Sequence, residues 1–374
     1  MAHHSRCHIP HSAFRIWCGF LVHCHLGVLV FSSGVCLASD LPPDTGEARL
    51  LLRQLGPRFS ADYSPHFTII SDADAARVEE LRALAESTFK AVDEFARRYR
   101  LPAQKPAAKM TVLYFNTWED YERYTDRIGF PASQWVPGFF DHHTARCIMF
   151  NYADSALIRE LRDKITAARN RLDGQPDDLE PARSAARTAA MRRELDRNTA
   201  QLDDIERRIN TTVFRHELAH QVLHHLRLQP THAPGRRWLC EGLAMLFEPD
   251  SQPPGSHPEL ALNRYRLSDF LAIDRAAVDL SFRRLIIDPR VVAAGSEHAP
   301  AAYAVAWVLV YDLATTRPDA FARYLIETVR DDPAEGPVSE AHLRHFEKHF
   351  GPLDDDFEQR IRDRLTGRAI ETNP

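Results

Sequence analysis

The chain has 374 residues and a mass of 42.7 kDa, with 44% hydrophobic and 26% charged residues, a composition that excludes a disordered, collagen-like or multi-span membrane protein. A net charge of −5 and a pI near 6.4 offer no basic surface, so nucleic acid is not an expected partner. Neither G-x-G-x-x-G nor G-x-x-x-x-G-K-[ST] occurs in it, which removes the glycine loops that cradle phosphates.

Four of the six cysteines fall in the first 36 residues, beside Arg6, Arg15 and an apolar run from Ile16 to Phe31. With small residues around Cys36 and Ala38, residues 1–38 read as a secretory signal peptide cut after Ala38, so the protein is expected to be exported to the periplasm or beyond. Val35 argues against a lipid anchor at Cys36. His23 and His25 weaken the apolar segment, which leaves a retained membrane anchor or a misplaced start as the other readings. The two remaining cysteines, Cys147 and Cys240, cannot make a disulfide framework. Cys240 is expected to pack as a small apolar residue, with a bond to Cys147 left to geometry.

Residues 39–64 read as a lead-in with one short helix, Glu47–Leu55. His66–Ile70 is a β-rich run, and Asp72 is a good N-cap for an amphipathic helix over Ala73–Tyr99, whose apolar residues recur at 78, 81, 84, 92 and 95, with Thr88 in the slot between. Met110–Phe115 is a second strand, and Thr117-x-x-Asp120 resembles a capping box opening a helix to about Ile128. Gly138–Phe140 and Arg146–Asn151 read as paired strands around a turn. From Leu157 to Ile209 apolar residues three and four apart, broken at Gly174–Asp178, predict an antiparallel helical hairpin with solvated outer faces. After Thr211 the period is helical almost throughout.

The chemistry is concentrated in His216-Glu217-Leu218-Ala219-His220, an H-E-x-x-H. On a helix, positions i and i+4 share a face, so His216 and His220 can reach one metal ion while Glu217 stands beside its open position as a base. Trp238-Leu239-Cys240-Glu241-Gly242-Leu243-Ala244 follows, an apolar helix carrying an acid on its inward face. Such an acid is costly to bury unless it is paired or bound to metal. His216, His220 and Glu241 therefore make a three-ligand set of the catalytic zinc type. Leu223 and Leu226 occupy the places of the glycine and the third histidine in H-E-x-x-H-x-x-G-x-x-H.

These two motifs resemble the gluzincins, the thermolysin-like zinc metallopeptidases of the peptidase MA clan. Within them the chain is similar to the exported bacterial proteins called domain of unknown function 1570. That likeness runs from about His66 to Phe357 and rests on HFTIISD, TVLYFNTWEDYERY, GFFD with CIMFN, the zinc helices and YAVAWVLVYDL. It implies zinc held by His216, His220 and Glu241, Glu217 as general base, and Tyr303 as a hydrogen-bond donor to the developing oxyanion. Where thermolysin-like enzymes often carry an aspartate four residues after the ligand glutamate, this chain has Met245. The group that orients a ligand histidine must then come from elsewhere, with Glu248 and Asp312 as candidates. The aminopeptidase G-x-M-E-N motif is absent, so an endopeptidase is the default expectation.

The expected fold is α+β. A small mixed sheet with its helices (65–155) precedes a hairpin insert (156–209) and a mainly helical zinc-binding part (210–370). The expected partner is a peptide or protein substrate, its backbone pairing with an edge strand near Cys147–Asn151; a membrane tether arises only if the N-terminal segment is retained. Two alternatives accompany this reading: a zinc-binding but non-catalytic peptide-binding scaffold, and a latent enzyme covered by its insert. His224, His225, His142 and His143 are expected to be surface, supporting or loop residues rather than ligands, and Arg236 and Arg237 to close a loop.

Overall fold

The computed structural model describes residues 45–130, 132–174, 181–229, 234–249, 260–273, 280–293, 296–330 and 338–371. Residues 1–38, expected to be a signal peptide, lie outside them. The architecture is α+β and mostly helical, with one small mixed sheet. In chain order come α1 (Thr45–Leu55), β1 (Ser60–Tyr63), β2 (Phe67–Ser71), α2 (Ala75–Arg98), β3 (Met110–Phe115), α3 (Trp118–Arg127), β4 (Gly138–Asp141), β5 (Arg146–Phe150), α4 (Ala156–Asp173) and α5 (Pro181–His225). The second half carries α6 (Arg237–Met245), α7 (Arg264–Leu271), α8 (Phe282–Ile287), α9 (Ala299–Thr316), α10 (Pro318–Arg330), α11 (Val338–Phe350) and α12 (Asp355–Glu371). None of the described helices is long and apolar enough to cross a membrane.

The sheet order is β1-β2-β3-β5-β4, parallel where β3 meets β2 and β5, antiparallel at both edges. Its central strands are buried on both faces, which is why they read as unbroken apolar runs. Phe67, Ile69, Val112, Tyr114 and Met149 turn toward α2 and the helical half. Ile70, Leu113, Phe115, Ile148 and Phe150 turn toward α1, α3 and the base of the α4–α5 hairpin. Two sequence expectations change in detail. Asp74 caps α2, accepting the Arg77 N–H, while Asp72 accepts the Asn116 N–H at 2.8 Å and ties the end of β2 to that of β3. β5 lies between β3 and β4, so the edge strand on that side is β4 and not the expected Cys147–Asn151 segment.

The expected boundary between insert and metal-binding part, at 209, falls inside α5, a continuous helix of 45 residues and about 68 Å. No glycine or proline interrupts it after Pro181. Its first half pairs with α4, and the faces they share carry Arg162–Asp203, Arg162–Glu206 and Arg169–Asp196 pairs along the rim. Its second half enters the main core through Phe214, Leu218, Val222 and Leu223. The helix stops where Arg227 takes a left-handed conformation (φ 57°) and Leu228 N–H bonds back to the Leu223 carbonyl, a Schellman-type end. At the centre of the helical half stands α9, buried on every side from Ala302 to Ala314.

Candidate metal centre

His216, Glu217 and His220 lie in the buried part of α5, and Gln221 fixes its register against the sheet by donating to the carbonyls of Thr111 (2.8 Å) and Ala145 (2.9 Å). Glu241 comes from α6, which is pressed onto α9 at Gly242. A Cβ there would stand 2.5 Å from Val310 Cγ2 and 2.8 Å from the Ala306 carbonyl oxygen. Glycine is what lets α6 come this close and bring Glu241 up to the two histidines.

The structure brings His216, His220 and Glu241 together as a candidate ligand group. His216 Nε2 is 3.1 Å from Glu241 Oε2 and 3.1 Å from His220 Nε2, and His220 Nε2 is 3.4 Å from Glu241 Oε2. Three tetrahedral ligands, each about 2.0–2.1 Å from one ion, would stand roughly 3.3–3.4 Å apart. The far side of each ring is also engaged. His216 Nδ1 lies 3.0 Å from Glu248 Oε1, and His220 Nδ1 lies 3.5 Å from Gln229 Oε1, whose amide nitrogen donates to the His220 carbonyl. A carboxylate can only accept, so His216 presents Nδ1–H to Glu248 and turns its Nε2 lone pair toward the shared point. Glu248 is itself held by Arg266 (2.6 and 3.0 Å) and Asn263 (2.7 Å), all buried. Of the two orienting candidates, Glu248 fills the role. Asp312 instead receives a two-pronged ion pair from Arg364 of α12 (2.9 and 2.8 Å).

Lone pairs from two imidazoles and a carboxylate converging this closely repel unless a cation sits among them. The electrostatics express the same demand. Against burial, which lowers it, hydrogen bonds with Glu241 and Glu248 raise His216 to about 10. Burial would lift Glu241, yet His220 and His216 hold it far below the usual carboxylate range. Glu217 behaves differently. Burial pushes it up to about 6, opposed by His216 and His220. Three buried carboxylates (Glu217, Glu241, Glu248) thus surround two histidines and one guanidinium, a donor set suited to a divalent cation.

Glu217 is oriented by β4: its Oε2 accepts the Phe140 backbone N–H at 2.8 Å. Among the described strands β4 pairs with β5 alone, and this N–H on its other side is taken by Glu217 of α5. Tyr303 is buried in the second turn of α9, the helix that packs on α6. Cys147 and Cys240 are not joined in a disulfide, and the Cys147 thiol donates to the Glu217 carbonyl (3.1 Å). His142 and His143 are exposed in the β4–β5 turn, and the His224 ring lies 5.3 Å from that of Phe140. Arg236 is buried and donates to the Thr328 carbonyl, closing the entry to α6 onto α10.

Residues 209–335 match the family described as protein of unknown function (DUF1570). The match takes in α5 from Ile209 onward, α6 and α9, and so contains every residue of the metal centre except Phe140. It is narrower than the His66–Phe357 span over which the sequence reads as similar to that family. No curated protein matches the chain. Gln229, Asn263, Arg266 and the Phe140 N–H carry no sequence motif; Asn263 and Arg266 have only their three-residue spacing, that of an N-cap and the amide it caps.

Proposed function

We propose that this chain is an exported zinc-dependent peptidase of the gluzincin type, hydrolysing peptide bonds within a polypeptide. The observation that carries the reading is the meeting of His216, His220 and Glu241 ligand atoms 3.1–3.4 Å apart with Glu217 alongside. The resemblance of H-E-x-x-H and W-L-x-E-G-L-A to gluzincins supports it. These three residues would hold a zinc ion, which would supply Lewis acidity for the scissile carbonyl and for a water. Glu217 takes the proton of the attacking water on its carboxylate and passes it to the departing amine. The Phe140 N–H holds the carboxylate toward the centre. The substrate backbone runs alongside β4, the edge strand next to Glu217, and Tyr303 donates to the oxyanion.

The test measures metal and turnover together. Purified chain should carry about one zinc at this centre, lost in both His220→Ala and Glu241→Ala. Glu217→Gln should keep the zinc and lose roughly 10²–10⁴-fold in hydrolysis of an unfolded protein substrate. Zinc lost with His220→Ala but kept with Glu241→Ala would remove the gluzincin assignment, and undiminished hydrolysis by Glu217→Gln would remove the general base.

A further inference from the structure

A second group of metal-type side chains stands apart from this centre. His345 and His349, four residues apart on one face of α11, meet Glu327 of α10. Glu327 Oε2 is 3.1 Å from His349 Nε2 and 3.4 Å from His345 Nε2, and the three ligand atoms all lie within 4.8 Å of one another. The two carboxylate–imidazole distances match those of ligands that share one ion. The imidazoles are preset for it. The Tyr324 ring packs on both, with centroids at 4.9 Å and 5.6 Å, and the His349 side chain is only 6% exposed. Rings held by packing on one helix and an acid on its neighbour lose little freedom on binding.

We propose that Glu327, His345 and His349 form a second site, for a divalent transition metal such as Zn²⁺, Ni²⁺ or Co²⁺, which clasps α10 to α11. Two imidazoles and a carboxylate are borderline donors and select this class over Mg²⁺ or Ca²⁺. Lys348 is the built-in competitor. Its ammonium lies 2.8 Å from the same Glu327 oxygen, but its side chain is 63% exposed and can withdraw into solvent. The clasp stands behind the metal centre. Phe346, between the two histidines, packs on Trp238 at 6.3 Å, one turn before Glu241, and Thr328, next to Glu327, receives Arg236.

The experiment is a titration of the purified chain, stripped of metal, with Co²⁺ followed by its visible absorption, repeated with Zn²⁺ by elemental analysis. The expected result is two equivalents for the wild type, one for His345→Ala, one for His220→Ala and none for the double variant. Glu327→Gln should behave like His345→Ala. Lys348→Ala, a surface change that leaves the fold alone, should bind the second equivalent several-fold more tightly. A wild type that takes a single equivalent, retained in His345→Ala and unaffected by Lys348→Ala, would overturn the proposal and leave Glu327 a partner in charge pairs only. A single equivalent lost in His345→Ala but kept in His220→Ala would uphold the clasp and instead overturn the centre on α5 and α6.

Discussion

At the scale of single residues the metal centre depends on Glu248 as much as on its ligands. This carboxylate accepts from His216 Nδ1 at 3.0 Å and is fastened by Arg266 and Asn263. Arg266 holds it at about 2, and burial works the other way. Replacing it by an amide keeps the shape, weakens the acceptor and leaves a buried guanidinium without its counter-charge. Glu248→Gln should therefore weaken metal binding about 10–100-fold, read by competition with a chelator of known affinity, while His216, His220 and Glu241 all remain. Metal affinity equal to wild type would mean that Glu248 only neutralises Arg266. Glu248 was one of two orienting candidates visible in the sequence, and the reason for its success is local. It lies seven residues after Glu241, in the turn that follows α6. Asp312 was an equal candidate on burial alone, but its partner is Arg364, 52 residues on, which no local pattern announces.

Elements bring the ligands together, and α6 shows how little tolerance they have. The sequence W-L-x-E-G-L-A reveals an apolar helix with an inward acid. It does not reveal that Gly242 must lack a side chain, because the atoms that forbid one, Val310 Cγ2 and the Ala306 carbonyl, belong to α9. Gly242→Ala gains helix propensity of about 1 kcal/mol, but the clash it introduces involves a backbone oxygen that cannot swing aside. Overpacking of this kind costs roughly 1–3 kcal/mol, relieved by α6 moving away and carrying Glu241 with it. A lower melting temperature together with weaker metal binding is the expected pair of results. Adding Val310→Ala should recover part of both, since it clears the methyl at 2.5 Å and leaves the carbonyl at 2.8 Å. A Gly242→Ala chain as stable and as tightly metal-binding as wild type would show that α6 and α9 slide freely. The same distinction explains α5. The apolar seam was legible along its whole length, but its change of partner, from α4 to the core near Ile209, reads in sequence as an ending, while the backbone simply continues.

For the molecule as a whole, that continuity decides what the helical hairpin can be. If α5 were a detachable insert up to 209, residues 156–209 could be removed without harm. Ile158, Leu202 and Ile209 are instead buried in the second core, against the same sheet face as Ile148 and Phe150. Removing them uncovers that core at the foot of the helix that carries His216. The distal part is different: Arg169–Asp196 and Arg192–Asp173 are exposed pairs, worth little to stability. Residues 165 and 200 lie nearly opposite, judging from the Arg162–Asp203 and Arg169–Asp196 pairings, so a linker of about four residues can replace 166–199. This trimmed chain should fold, with a melting temperature within a few degrees of wild type and unchanged metal content. Removal of 156–209 should give an unstable, aggregating product. Hydrolysis separates the remaining possibilities. Equal activity in trimmed and full chains makes the hairpin tip a bystander to catalysis, and a large gain makes it a cover over the approach to the metal centre. Loss of metal on trimming would contradict the division between an anchored base and a free tip, since none of the ligands or their orienting partners lies within 166–199.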